Sequence, residues 1–259
     1  TTSQVTHATP AAFAAHVEHR KMVTEIAEQM LSAGPDVLLG GGEDEFLPQQ
    51  ETGCYAEPGE RKDGRNLIAE AVANDYLYIC DKRAFDSVDP QTTSRLLGLF
   101  SDEGMTRPFS PSLADMTEIS IDILSKNGRG FFLMVESAQI DWASHDNDAD
   151  KAISDTLELD DAVAIARKFA DEAGQTLIIV TADHETGGME VVLTPGGRSG
   201  EDGPYPMPNG GVFYVNWSTT GHTSFDVPVT SSGPASGLLA GAHDNTHIFQ
   251  VMKSALNGE

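Results

Sequence analysis

Basic side chains are what this chain has least of: 16 Lys and Arg stand against 40 Asp and Glu, a formal charge of −24 over 259 residues. A surface that acidic repels nucleic acid and anionic membrane, so neither is an expected partner. The excess acid reads either as a well-solvated surface or as adaptation to salt. No run approaches the ~20 apolar residues needed to span a bilayer, and the chain reads as soluble. Its first residues, TTSQVTHATPAAF, contain no Met, no apolar signal stretch and no charged leader, which reads as the interior of a longer polypeptide. Cysteine is scarce too. Cys54 and Cys80 either pair in an oxidising compartment or stay apart as buried thiols, and the sequence leaves both open. With no internal repeat and no clear linker, residues 1–259 read as a single domain.

What is present is an alternation of helix-like and strand-like segments. Thr9-Pro10 reads as an N-cap followed by a first-turn Pro, opening a helix to about Leu31 that stops at Gly34-Pro35. DVLLGGG then reads as a strand and glycine turn, NLIAEAVAND as a helix, YLYIC and LLGLF as strands, and Ser112 to Lys126 as a helix. RGFFLMVE is a continuous apolar run of the kind seen in strands covered on both faces. Asp148 to Ala173 reads as a helix with Ile153, Leu157 and Ala164 on one stripe, and QTLIIV as a second buried strand. Glycine and proline cluster from Gly196 to Gly211, so a loop-rich insertion is expected around 196–220, with GVFYVNW as a strand and a last helix from about Asn245. This order predicts an α/β fold: a mostly parallel central sheet flanked by helices on both faces.

In such sheets ligands gather beyond the carboxyl ends of the strands, and that is where the polar clusters fall. Glu136 ends one apolar run, with Asp141 and His145 on the same connection; Asp183 and His184 end another. Asp141 and His145, four residues apart, share a face wherever the segment makes a helical turn. His222 follows Gly221 in a third, Gly-Thr-rich stretch. Singly these have ordinary explanations as caps or surface pairs. Jointly they look like a binuclear zinc site with nitrogen and oxygen ligands.

The segments VTHATPAAFAAHVEHR, LGGG, VESAQIDWASHDND, VTADHETGG and GHTSFDVPV, in that order, resemble the motifs of the alkaline phosphatases. The resemblance covers nearly the whole chain but only the later part of the family's polypeptide. It implies two zinc ions and one magnesium ion. Asp141, His145 and His222 would hold the first zinc, which activates the attacking water; Asp183 and His184 would hold the second, which activates the nucleophile. Thr9 and Glu136 would serve the magnesium, and Arg20 would bind phosphate, a role its planar guanidinium suits. His7 stands where some members have Asp, and Trp142 where some have Lys and others His; the combination is similar to certain bacterial, often cold-active, members and bears on the third metal.

The resemblance further implies hydrolysis of phosphate monoesters, with release of inorganic phosphate, through a phosphoserine. The nucleophilic Ser is expected upstream of Thr1, so the chain alone is expected to be inactive and its missing N-terminal segment to be its partner. A homodimer and a periplasmic or extracellular location are implied as well. Two rivals stand beside this reading. One is a phosphodiesterase, sulfatase or phosphoglycerate mutase of the same superfamily; the other is a catalytically silent metal- or phosphate-binding fragment.

Overall fold

A computed structural model describes residues 1–196 and 201–258. These group into two compact units, one of residues 1–138 with 158–165, the other of residues 139–157 with those from Ala166 onward.

The first unit is built on three parallel strands, β1 (Val37–Gly40), β2 (Leu77–Ile79) and β3 (Leu96–Leu99), in the order β1-β3-β2. Side chains alternate across a strand, and this sheet divides them accordingly. Leu39, Leu96 and Ile79 face one core with Leu113, Met116, Ile119 and Ile123 of helix α5 (Leu113–Leu124). Leu97 and Leu99 face the other, with Ala27 of α2 (Val23–Ala33), and Leu67 and Ala71 of α3 (Leu67–Ala73). Both faces are covered, which is why LLGLF carries no polar residue: Leu96, Leu97 and Leu99 are fully buried, each contributing roughly 1.5–3 kcal/mol of transfer energy. The helix starts follow ordinary capping. Asn66 accepts from Ala69 N at 2.8 Å, and Ser112 and Asp115 form a reciprocal box. The short α4 (Lys82–Phe85) is capped by Asp81.

Cys54 and Cys80 form a disulfide, resolving the alternative left by the sequence. Beside it the acidic run Glu43-Asp44-Glu45, entering a 3-10 turn, is buried. Glu43 accepts from Cys54 N, Tyr55 N and the Tyr78 hydroxyl.

Two expectations for this unit change. The predicted helix from Thr9 to about Leu31 is two helices, α1 (Ala8–Ala14), with His7 rather than Thr9 at the N-cap, and α2. The backbone turns extended at Ala15, and just beyond it the Gln29 side-chain amide holds His16. Its Oε1 accepts from His16 N at 2.7 Å and its Nε2 donates to His16 O at 3.1 Å, supplying both backbone groups of that residue with partners outside a helix. Arg20 therefore sits on an exposed connection and not on a helix face. The run RGFFLMVE, expected as a buried strand, belongs to none of the described sheets. Phe131 and residues 133–136 are half-buried, and the exposed Phe132 lies against Phe13 with ring centroids 5.6 Å apart. A continuous apolar run specifies cover on both faces, but a strand also needs ladder partners, and no described strand pairs with it.

The second unit starts with α6 (Gln139–His145) and α7 (Ala149–Ala173), capped by Asp148, residues 158–165 of α7 grouping with the first unit. The expected stripe on α7 is displaced. Leu157 is 60% exposed, while Ala152, Asp155 and Ala162 are buried. The remaining strands pair antiparallel: β4 (Ile178–Val180) with β10 (Thr230–Ser232), β5 (Glu185–Thr186) with β9 (His222–Thr223), and β6 (Glu190–Val192) and β7 (Asp202–Pro206) on either side of β8 (Val212–Asn216). A 3-10 turn (Ser236–Leu239) precedes α8 (Thr246–Asn257). The α/β class therefore holds, while the parallel arrangement is confined to β1, β2 and β3 among the described residues. In the predicted loop-rich insertion, 202–206 forms a strand despite its Gly and Pro; residues 197–200 of that stretch lie outside the described residues.

Candidate metal centre

Three short elements of the second unit bring together side chains that the sequence places far apart. On α6, Asp141 and His145 are one turn apart, and Asp141 Oδ1 lies 3.4 Å from His145 Nε2. The β5–β9 ladder pairs Thr186 with His222, so His222 joins them: its Nε2 is 3.1 Å from His145 Nε2 and 3.5 Å from Asp141 Oδ1. His184, two residues before Thr186, stacks on His222 with centroids 3.6 Å apart, and its Nε2 lies 3.1 Å from Asp183 Oδ2. Asp141, His184 and His222 each offer a ligand atom within 4.8 Å of the others. Of the five residues expected to bind zinc, Asp141, His184 and His222 thus form one group, His145 lies against two of them, and Asp183 meets only its neighbour His184.

Backbone geometry holds this cluster. Gly187 and Gly188 follow β5 with φ of +88° and +55°; a Cβ on Gly187 would meet the Trp217 ring at 2.6 Å, and one on Gly188 the Ser218 hydroxyl at 1.9 Å. Glycine is therefore required at this turn. Gly187 N donates to Gly221 O, and Gly187 O accepts from Ser218 N and Thr219 N, fixing the loop that delivers His222. Glu185 is held by Gly188 N, Met189 N and the Thr223 hydroxyl.

Proton accounting tests whether these residues suit a cation. Carbonyl oxygen only accepts, so His145 Nδ1, 2.6 Å from Thr220 O, carries a hydrogen, and Nε2 is the nitrogen that faces the cluster. Thr186 has one proton, and Asp141 Oδ1, 2.6 Å away, can only accept it; His184 Nδ1, 3.2 Å from the same hydroxyl, is therefore a donor. With hydrogen on Nδ1, His184 Nε2 and the Asp183 carboxylate face each other at 3.1 Å, a contact that is favourable only with a proton or a metal cation between them. Imidazole nitrogens whose opposite N–H is held by oxygen, together with carboxylates, are a zinc-type donor set. The residues fit the metal.

The residues expected at the magnesium and phosphate positions are arranged differently. Glu136, half-buried, accepts from the Thr1 and Ser3 hydroxyls, and Thr9, in the first turn of α1, is not among its hydrogen-bond partners in the described residues. Arg20 Nη2 meets His7 Nε2 at 3.0 Å. Trp142 is half-buried on α6. A further cluster, Glu43 with Cys54 and Cys80, is not a metal site, because both sulfurs are spent in the disulfide. Sequence reasoning missed Thr186 and the Thr220 carbonyl. The first was visible only as one more hydroxyl in TADHETGG; the second carries no signal at all, because it is backbone.

The family model for alkaline phosphatase matches residues 1–206 and 213–258. The chain belongs to the alkaline phosphatase family. Alkaline phosphatase 4 of Bacillus subtilis is 42% identical over 73% of this chain and 40% of its own length; alkaline phosphatase 3 of the same organism is 32% identical over 98% of this chain and 66% of its own. The chain thus spans less than two thirds of these relatives. The structure of alkaline phosphatase from the Antarctic bacterium TAB5 matches with a TM-score of 0.81 at 30% identity, covering 100% of this chain and 71% of that one. A histidine-to-aspartate mutant of the TAB5 enzyme was solved with magnesium in its M3 site.

Proposed function

We propose that the protein of which these 259 residues are part hydrolyses phosphate monoesters through a phosphoserine, the nucleophilic Ser lying outside them. The convergence of Asp141, His184 and His222, with His145 against His222 and with Nδ1 of His145 and of His184 held by oxygen, carries this reading. Family membership gives it direction.

On this reading Asp141, His145 and His222 hold one zinc ion and Asp183 and His184 a second, while Thr9 and Glu136 serve magnesium, whose preference for oxygen ligands suits them. When bound, zinc supplies Lewis acidity and a hydroxide-like water near neutral pH. The chain's own groups orient. Thr220 O fixes the His145 ring, Arg20 pairs with two phosphoryl oxygens at once, and His7 and Trp142 border the magnesium and first zinc ligands in sequence. Residues 1–259 then belong to one phosphatase domain that is silent without its upstream segment. A homodimer belongs to the same proposal. So does a periplasmic or extracellular location, which the Cys54–Cys80 disulfide supports; no helix among the described residues is long and apolar enough to cross a membrane.

The test uses the full polypeptide with p-nitrophenyl phosphate, bis(p-nitrophenyl) phosphate and p-nitrophenyl sulfate. The monoester should be cleaved fastest by far, with activity lost to a chelator and restored by zinc and magnesium. Preference for the diester or the sulfate would transfer the site to a related superfamily reaction. Zinc uptake with no turnover of any of the three would leave a binding protein.

A further inference from the structure

Thr186 contributes no expected metal ligand, yet its hydroxyl touches one residue of each proposed zinc set. It is buried at 9% exposure on β5, directly across the ladder from His222. Its proton goes to Asp141 Oδ1 at 2.6 Å, and its lone pair receives His184 Nδ1–H at 3.2 Å. We propose that Thr186 is a positioning residue that couples the two zinc sites: one hydroxyl sets both the rotamer of Asp141 and the tautomer of His184. This rests on the metal reading above and deepens it.

The chemistry follows from what one hydroxyl can do. Asp141 has two oxygens, and Thr186 engages Oδ1, the oxygen that lies nearest His145 and His222. The carboxylate is therefore held in the orientation in which it faces the imidazoles. His184 has two tautomers; the accepting lone pair of Thr186 selects the one with hydrogen on Nδ1, leaving Nε2 to bind a cation beside Asp183. Loss of the hydroxyl releases both at once. A buried threonine that merely filled space would fix neither.

Thr186→Val keeps shape and removes the hydroxyl; Thr186→Ser keeps the hydroxyl. Zinc affinity is read by chelator competition, and the His184 tautomer by nitrogen-15 NMR of the metal-free protein at alkaline pH. The Val variant should bind zinc about 10- to 100-fold more weakly, as loss of groups that orient metal ligands typically does, and His184 should shift toward the form with hydrogen on Nε2. The Ser variant should recover both. Should Thr186→Val fail to fold, Thr186→Ala takes its place with the same expectation. Parental zinc affinity and an unchanged His184 tautomer in the hydroxyl-free variant would overturn the proposal. Absence of zinc binding in the parent protein would overturn the metal reading instead, while the tautomer measurement would still decide whether Thr186 orients His184.

Discussion

The two units use buried surface for opposite purposes. In the first, three parallel strands lie between two apolar cores, and Leu96, Leu97 and Leu99 see no solvent. In the second, strands pair antiparallel, Leu193, Phe225, Phe249 and Leu256 are exposed, and the distinctive feature is a knot of imidazoles and carboxylates. Large apolar side chains give the first unit its stability, whereas backbone carbonyls and glycine turns give the second its precision. Metal ligands need exact direction more than burial, and a carbonyl on a fixed loop supplies direction without enclosing the site.

That contrast predicts where substitutions act. Largest should be loss of a ligand in the second unit. His222→Ala should reduce zinc by about one ion per chain and lower activity of the full enzyme by more than about a hundredfold, with the metal-free melting temperature little changed; elemental analysis with calorimetry reads both. Unaltered zinc content would return His222 to a loop-packing role. Arg20 is the first unit's exception, an exposed residue expected to act on substrate. Arg20→Ala should cost roughly 10- to 100-fold in kcat/KM, the value of a charge-assisted hydrogen-bond pair, at unchanged zinc content.

Third, replacing Cys54 and Cys80 with Ser should destabilise the first unit by about 3 kcal/mol, because it frees a closure over a separation of 26 residues. Denaturant melts should show this without loss of bound zinc. The smallest effect concerns buried acid. Burial, with Glu60 and Glu103 nearby, pushes Asp44 up to about 7; burial, only partly offset by the Thr6 hydroxyl, pushes Glu45 up to about 8. A carboxyl with a raised folded-state pKa keeps a proton that the unfolded chain has released, so stability falls as pH rises from about 4 to about 8. Glu45→Gln should flatten that decline, making the variant more stable than its parent at about pH 9 and closer to it at about pH 5. Parallel melting curves for the two proteins would exclude Glu45 as a source of the pH dependence.

Much of the first unit was legible because its signals are local. Asn66 and Ser112 mark helix starts, and the uninterrupted apolar residues of LLGLF mark a strand covered twice. The break between α1 and α2 was not, because the partner that satisfies the His16 backbone there is the Gln29 side chain, thirteen residues away. Leu157 points outward on α7 because the buried face there is made of small residues and Asp155, a pattern that hydrophobic periodicity does not register. In the site, the ligand types and their order could be read, since Asp141 and His145 lie one helical turn apart. Their tautomers could not. These depend on Thr220 O and the Thr186 hydroxyl, which only the folded loops bring into reach.

Diffraction from zinc-loaded crystals on both sides of the zinc absorption edge tests the central claim most directly. The account predicts anomalous peaks at about 2.0–2.1 Å from Nε2 of His145 and His222 and from Nε2 of His184. Zinc bound elsewhere on the protein, with no peak at these three nitrogens, would contradict it.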